Sequence, residues 1–243
     1  MILVTRPLAQ VDKLHTLLKE AGFDYVLFPA FEITKLTPRI PSESYDVIIF
    51  VSVNAVIYAH KYLPQLLEKE QKIFAVGPAT ASKLADVGVA VDAFPHKNAS
   101  SEALLAMSEC QSIKDTRVLI IRGQGGVETL KEALETSNQV DYLEVYERRM
   151  LNVSELHQQS IERFMKDGGG VILANSSQTL SNTLSLVEFI NPNYLNRFKQ
   201  CPLIVISERI KTFALTLGFG KVHIAPNLGD KEVLNELLSV KIC

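Results

Sequence analysis

Hydrophobic and polar positions along the chain follow two alternating rhythms. Short apolar runs, rich in β-branched residues and bounded by Gly, Pro, Ser or Asn, occur at residues 2–5, 25–33, 47–51, 73–76, 89–94, 118–121, 140–146, 171–174, 203–206 and 222–225. Each is too short for a helix, and the pattern predicts strands. Between them run helical periods. Val11, Leu14, Leu17 and Leu18 share one face and stop at Gly22, and Leu130, Ala133 and Leu134 share another. Further helices are predicted over 55–63, from Gly77-Pro78 to Gly88, from Ser100-Ser101-Glu102, over 154–166, from Ser207 to Leu217, and from Gly229-Asp230. Proline fits the first turn of a helix because its missing N–H costs little there, and glycine fits the position just past the end. The charged run Glu68-Lys69-Glu70 reads as a solvated helix end. Strands alternating with helices imply parallel α/β architecture.

The rhythm also repeats. MILVTRP and the stretch through DYVLFPAFE resemble RVLIIRG and the stretch through VDYLEVYE, which matches Arg6 with Arg122 and Tyr25 with Tyr142. DVIIFVSVNAV resembles GVILANSSQTL, matching Ser52 with Ser176. KIFAVGPATASKLADVGVAVDAFP resembles LIVISERIKTFALTLGFGKVHIAP, matching Gly88 with Gly218 and Pro95 with Pro226. The chain is a duplication. It divides either in tandem, cut near Ser112, or as crossed halves, in which the N-terminal module packs with the C-terminal half. The extended runs 25–33 and 140–149 outlast an ordinary parallel strand and favour the crossed division. The domains expected are 1–35 plus 150–243, and 36–149.

The segment 117–149 carries the densest signal. Its strand ends in Arg122-Gly123, with Gly125 and Gly126 before the next helix. Such a turn is either a tight connection that needs glycine or an anion-binding loop. Nucleotide binding is disfavoured, because Glu128 stands where a dinucleotide fingerprint has its third glycine and no Walker lysine follows.

Composition narrows the function. Hydrophobic residues make up 47% and charged residues 21% of the 243, enough to bury a core. A net charge of −2 excludes whole-molecule attraction for nucleic acid, so any polyanion must be held locally. Cys110, Cys201 and Cys243 lack pairing or metal spacing and read as free thiols. No export signal or membrane-spanning run is evident, and a cytoplasmic protein is expected. His15, His60, His96, His157 and His223 are scattered without metal spacing and read as surface residues, and no nucleophilic triad declares itself.

ILVTRP at the N-terminus, FVSVNAV at 50–56, AVGPATASKL at 75–84, SSEALL at 100–105, and RVLIIRGQGGVETL with LEVYERR within 117–149 together resemble the uroporphyrinogen-III synthase family over nearly the whole chain. The resemblance implies two flavodoxin-like α/β domains, crossed and joined by a two-stranded linker, with a tetrapyrrole in the cleft between them. It implies a monomer that takes linear hydroxymethylbilane, removes water, inverts the last pyrrole ring through a spiro intermediate and closes the macrocycle, using no metal or cofactor. Tyr146 matches the tyrosine considered in that family as proton donor to the leaving hydroxyl. Its alternative role is packing at the domain junction. Two departures stand out. Many relatives carry arginine where this chain has Val127, and the repeat of Gly77-Pro78-Ala79-Thr80 reads Ser207-Glu208-Arg209-Ile210.

The implied ligand carries many carboxylates, yet the protein is slightly acidic. Helix starts offering free backbone N–H groups and a partial positive charge resolve the mismatch. Candidate contacts are Arg6, Ser52, Asn54, Gly77, Thr80, Ser101, Arg122, Gly123, Gly125, Gly126, Arg148, Ser176, Ser177, Gln178, Ser207 and Arg209. Each serine at a helix start is equally an ordinary cap, and Arg148 and Arg149 either hold carboxylates or solvate the linker. A non-catalytic two-domain solute-binding protein is the alternative, and turnover separates the two.

Overall fold

The structure is a computed structural model that describes residues 1–67, 70–97, 99–166, 168–225 and 229–240. Glu68, Lys69, Pro226 and Cys243, named above, lie outside the described residues. In chain order the elements are β1 (Ile2–Val4), α1 (Asp12–Glu20), β2 (Tyr25–Leu27), β3 (Phe31–Lys35), β4 (Val47–Phe50), α2 (Val53–Ala59), α3 (Leu63–Leu66), β5 (Lys72–Ala75), α4 (Pro78–Asp86), α5 (Ser101–Leu105) and α6 (Ser108–Gln111). They continue with β6 (Arg117–Gly123), α7 (Thr129–Leu134), β7 (Gln139–Met150), α8 (Glu155–Lys166), β8 (Val171–Leu173), α9 (Ser177–Ile190), α10 (Tyr194–Gln200), β9 (Leu203–Val205), α11 (Glu208–Thr216), β10 (Val222–Ile224) and α12 (Asp230–Ser239).

The chain separates into two compact units, one of Met1–Glu32 with Arg149–Cys243 and one of Ile33–Arg148. Each holds one sheet, ordered β10-β9-β8-β1-β2 in the first and β3-β7-β6-β4-β5 in the second. The pairs β1·β2, β1·β8, β8·β9 and β9·β10 are parallel, as are β4·β5, β4·β6 and β6·β7. The repeat maps β8 onto β4, β9 onto β5, β1 onto β6 and β2 onto β7, and each pairing reappears under that mapping. Both crossings between units fall inside strands, at Glu32/Ile33 in β3 and at Arg148/Arg149 in β7.

Period-two alternation explains why apolar runs suit these strands. Ile2 and Val4 join the cluster of Leu14, Leu18, Leu173 and Leu237, while Leu3 joins Phe28, Phe164, Ile172 and Phe198 on the other face. In the second unit Val47 and Ile49 pack with Val118, Ile120, Leu130 and Leu134, while Ile48 and Phe50 pack with Leu119, Ile121, Val56 and Leu84. Both faces of each sheet are covered, so the inner strands need apolar residues at every position.

Four details differ from the sequence pattern. The run 25–33 is two strands, because Pro29 interrupts it, and each piece serves a different sheet. The helix expected over 55–63 stops at Ala59, where Pro64 cannot return an N–H to the preceding turn. The strand expected over 89–94 shrinks to one bridge, Phe74 to Ala93, since the Asp92 carboxylate takes the Ile73 N–H at 2.7 Å. Ala133 is exposed, and Leu130 and Leu134 alone carry the buried face of α7. Strand register also corrects one repeat match. Ile2 pairs with Tyr25 and its counterpart Val118 pairs with Val140, so Tyr25 corresponds to Val140 and not to Tyr142.

The second unit has its own core on both faces of its sheet. A fragment of residues 31–150, which keeps β3 and β7 whole, is expected to fold alone. Urea denaturation followed by circular dichroism should give one cooperative transition, and a sloping, non-cooperative melt would refute the independence of this unit.

Candidate functional site

Parallel pairing brings the carboxyl ends of β4 and β6 to one edge of the second unit's sheet, where open α/β sheets bind ligands. A hollow of about 390 Å³ lies there. Its lining includes Ser52 from the end of β4, Arg122 and Gly123 from the end of β6, Gly125 and Gly126 from the following turn, Ser101 from α5, and Tyr146 and Arg148 from β7. These candidates are therefore brought together.

Tyr146 is buried, and its hydroxyl lies 3.1 Å from Ser52 Oγ. Ser52 caps α2, its Oγ accepting the Ala55 N–H at 3.1 Å. The Tyr146 ring packs against Tyr58 at 5.6 Å between centroids. It also lies directly on Gly123, where an added Cβ would stand 2.4 Å from the ring. Gly123 is thus required by close approach. Gly125 answers to backbone conformation instead, at φ +68°.

Arg122 is 3% exposed. Its Nε donates to Gly123 O at 3.1 Å and its Nη1 to Glu128 Oε1 at 3.0 Å. The guanidinium stacks on Tyr142 at 4.3 Å, and the Tyr142 hydroxyl donates to Glu128 Oε2 at 2.6 Å. Burial, then the bond to Glu128, pushes the Tyr142 phenol up to about 12. The same phenol, followed by Arg122, holds the Glu128 carboxyl below its usual range. Nη2 is buried with no hydrogen-bond partner. In the turn above it, the N–H groups of Gly125, Gly126, Val127 and Glu128 make no hydrogen bond among the described residues.

The other candidates lie elsewhere. Asn54 follows Val53 at the start of α2, Gly77 precedes α4 with Ala99 packed against it, and Thr80 is buried in α4. In the first unit Arg6 is ion-paired with Asp230. Ser176 caps α9 through Thr179 N, Ser177 and Gln178 follow it, and Gln178 donates to Asn182 at 2.7 Å. Ser207 caps α11, where Arg209 is exposed. The cap of α5 is Ser100, whose Oγ accepts the Ala103 N–H, and Ser101 is the first helical residue.

One histidine departs from the surface expectation. His157 is buried, with Nε2 2.9 Å from Pro29 O and Nδ1 2.7 Å from Ser154 Oγ. It supports the start of α8, and local periodicity gives no sign of that. Sequence reasoning also misses Tyr142 and Glu128 as site residues. The available signals are the position of Glu128 on the turn and of Tyr142 on the strand beside it. Among the described residues no group of three or more His, Cys, Asp or Glu could hold a metal ion, and no helix is long and apolar enough to cross a membrane. Cys110 and Cys201 are unpaired and buried.

Comparison with known proteins fits this geometry. The family model described as uroporphyrinogen-III synthase HemD matches residues 12–234. The uroporphyrinogen-III synthase of Salmonella typhimurium is 30% identical, with 97% of this chain and 99% of that protein covered. That of Escherichia coli (strain K12) is 28% identical over the same shares. The fold is that of the Helicobacter pylori uroporphyrinogen-III synthetase crystal structure, with a TM-score of 0.67 at 16% identity over 98% of both chains. A mutant uroporphyrinogen III synthase from the thermophile Thermus thermophilus gives 0.60 at 13% identity over the same shares. With a family model spanning most of its length and relatives aligned almost end to end, the chain belongs to the uroporphyrinogen-III synthase family.

Proposed function

We propose that this protein, acting as a cytoplasmic monomer, converts hydroxymethylbilane to uroporphyrinogen III. One observation beyond family membership carries the reading: the Tyr146 hydroxyl is fixed beside Ser52 on the wall of a hollow that also presents a glycine turn with free N–H groups. The reaction asks little of a catalyst at its first step. The hydroxyl of the hydroxymethyl group leaves as water once it receives a proton, with the adjacent pyrrole nitrogen supplying electrons to the methylene carbon. That carbon then bonds to the substituted α carbon of the last ring to make a spiro centre. The ring's original methylene bond breaks, that methylene re-adds at the ring's free α carbon, and loss of the proton there closes the macrocycle with the ring inverted and restores the phenol.

Tyr146 is the proton donor in this reading. Ser52 Oγ already accepts from Ala55 N–H. Its own O–H can therefore donate to the Tyr146 oxygen, which leaves the phenol O–H free for the departing hydroxyl. Selecting the inverted product over simple closure is a matter of holding the ends in place. Tenfold selectivity needs only about 1.4 kcal/mol, well within what orientation supplies. Backbone donors at helix starts, supplemented by Arg122 and Arg148, hold the carboxylates.

Incubation of purified protein with hydroxymethylbilane, without added cofactor, is expected to give the type III isomer on chromatography. Type I product alone, formed at the spontaneous rate, would refute the activity and leave a binding protein. Tyr146→Phe should lower turnover ~100-fold, the usual worth of one positioned acid, with isomer ratio and melting temperature nearly unchanged. Turnover equal to wild type would reduce Tyr146 to packing. Gly123→Ala should depress turnover by displacing the Tyr146 ring, because the new methyl group occupies the ring's place. Ser52→Ala should cost less, on the order of 1 kcal/mol in transition-state stabilisation, measured as kcat/KM. A Ser52→Ala loss exceeding that of Tyr146→Phe would reverse the assignment of donor and support.

A further inference from the structure

We infer that Tyr58 is a positioning residue for Tyr146: its ring and its hydroxyl together hold the Tyr146 phenol at the angle from which it delivers a proton. This role rests on the function proposed above, in which Tyr146 is the donor.

The Tyr146 hydroxyl has one hydrogen-bond partner among the described residues, Ser52 Oγ at 3.1 Å. A single bond between two neutral hydroxyls is a weak hold on a ring that turns about its side-chain torsions. Gly123 gives that ring room but has no side chain to grip it. Tyr58 supplies the missing support. The two rings lie 5.6 Å apart between centroids and are inclined by 34°, an aromatic contact that sets orientation as well as distance.

Tyr58 is itself fastened. Its hydroxyl donates to Ile33 O at 3.1 Å. Ile33 lies in β3, the outermost strand of its sheet, and β7 lies between β3 and β4 in the sheet order. The strand that carries Tyr146 is thus bracketed by one helix: Ser52 caps α2 just beyond β4, and Tyr58 ties α2 to β3. Ala55, Val56 and Ala59 sink the same helix into the core, so the two supports share one close-packed base.

The lining of the hollow includes Tyr146 and Ser52 but not Tyr58. Tyr58 is half-buried against the apolar cluster of Val56, Ile121 and Leu143. It therefore acts on a substrate in that hollow only through Tyr146. A displacement of about 1 Å at a reacting group can cost ~100-fold in rate, so the support of the phenol weighs on turnover and spares binding.

The test combines steady-state kinetics of type III formation with crystal structures of the full chain. Tyr58→Leu should lower kcat at least about tenfold with KM within about twofold of wild type, the split expected when a reacting group is misplaced. Tyr58→Phe keeps the ring and gives up the bond to Ile33, and should recover turnover to within about threefold of wild type. Added to Tyr146→Phe, Tyr58→Leu should cost less than about twofold more, because the group it positions is gone. In crystals of Tyr58→Leu the Tyr146 hydroxyl should leave hydrogen-bond distance of Ser52 Oγ while the fold is kept. Should Tyr58→Leu fail to fold, Tyr58→Met, which fills more of the ring's space, takes its place in each comparison. Losses that multiply fully with that of Tyr146→Phe, a raised KM at unchanged kcat, or a Tyr146 hydroxyl still on Ser52 would overturn the role. A wild-type protein that makes only type I product refutes the activity, and the Tyr58→Leu crystal structure then decides by itself whether Tyr58 holds Tyr146.

Discussion

Parallel pairing around β6 is the constraint from which the site follows. Hydrogen bonding of β6 to β4 on one side and β7 on the other aligns Phe50 with Ile121 and Gly123 with Tyr146. Strands running the same way must release their turns at the same edge, so Ser52 and the glycine turn become neighbours although they are far apart in sequence. The register shift between Arg122 and Gly123 then matters in detail. It ends regular pairing where the glycine turn begins and sets the Tyr146 ring over a residue without a side chain. Apolar contacts on both faces of the sheet hold this alignment, and the site's polar groups add orientation to it.

Much of this is legible in the sequence, for a physical reason. Buried parallel strands need unbroken apolar residues, and helices need caps, so 47–50 and 118–121 with Ser52 and Gly123 beyond them are marked by composition alone. The family resemblance then supplies Tyr146. What cannot be read is whatever depends on side chains meeting across elements. That Arg122 would turn inward, stack on Tyr142 and share Glu128 requires knowing the register of β6 against β7. The same holds for His157, whose burial follows from a bond to the distant Pro29. Turns governed by proline or by a side chain that competes with the ladder, such as Pro29 and Asp92, are equally invisible to periodicity.

The duplication has kept its scaffold and let its polar groups diverge. Both halves retain a serine capping the helix after the corresponding strand, Ser52 and Ser176. Both retain an arginine at the carboxyl end of the corresponding inner strand, Arg6 just beyond β1 and Arg122 within the last residues of β6. Arg6 is committed to Asp230 across most of the chain's length, whereas Arg122 is paired within its own turn and keeps one donor unused. Equivalent positions have thus come to serve different ends, one tying distant segments of its unit and the other lining a hollow.

The placement of β1 has a consequence for how the polypeptide is made. It is an inner strand, lying between β2 and β8, and its second partner is encoded only at Val171–Leu173. During synthesis the first module leaves the ribosome with one side of β1 unpaired, and it stays so while the whole of 33–148 is translated and acquires a core of its own. These strands are therefore made before the second unit and complete their sheet after it. In that interval an exposed apolar edge is vulnerable to association with other chains.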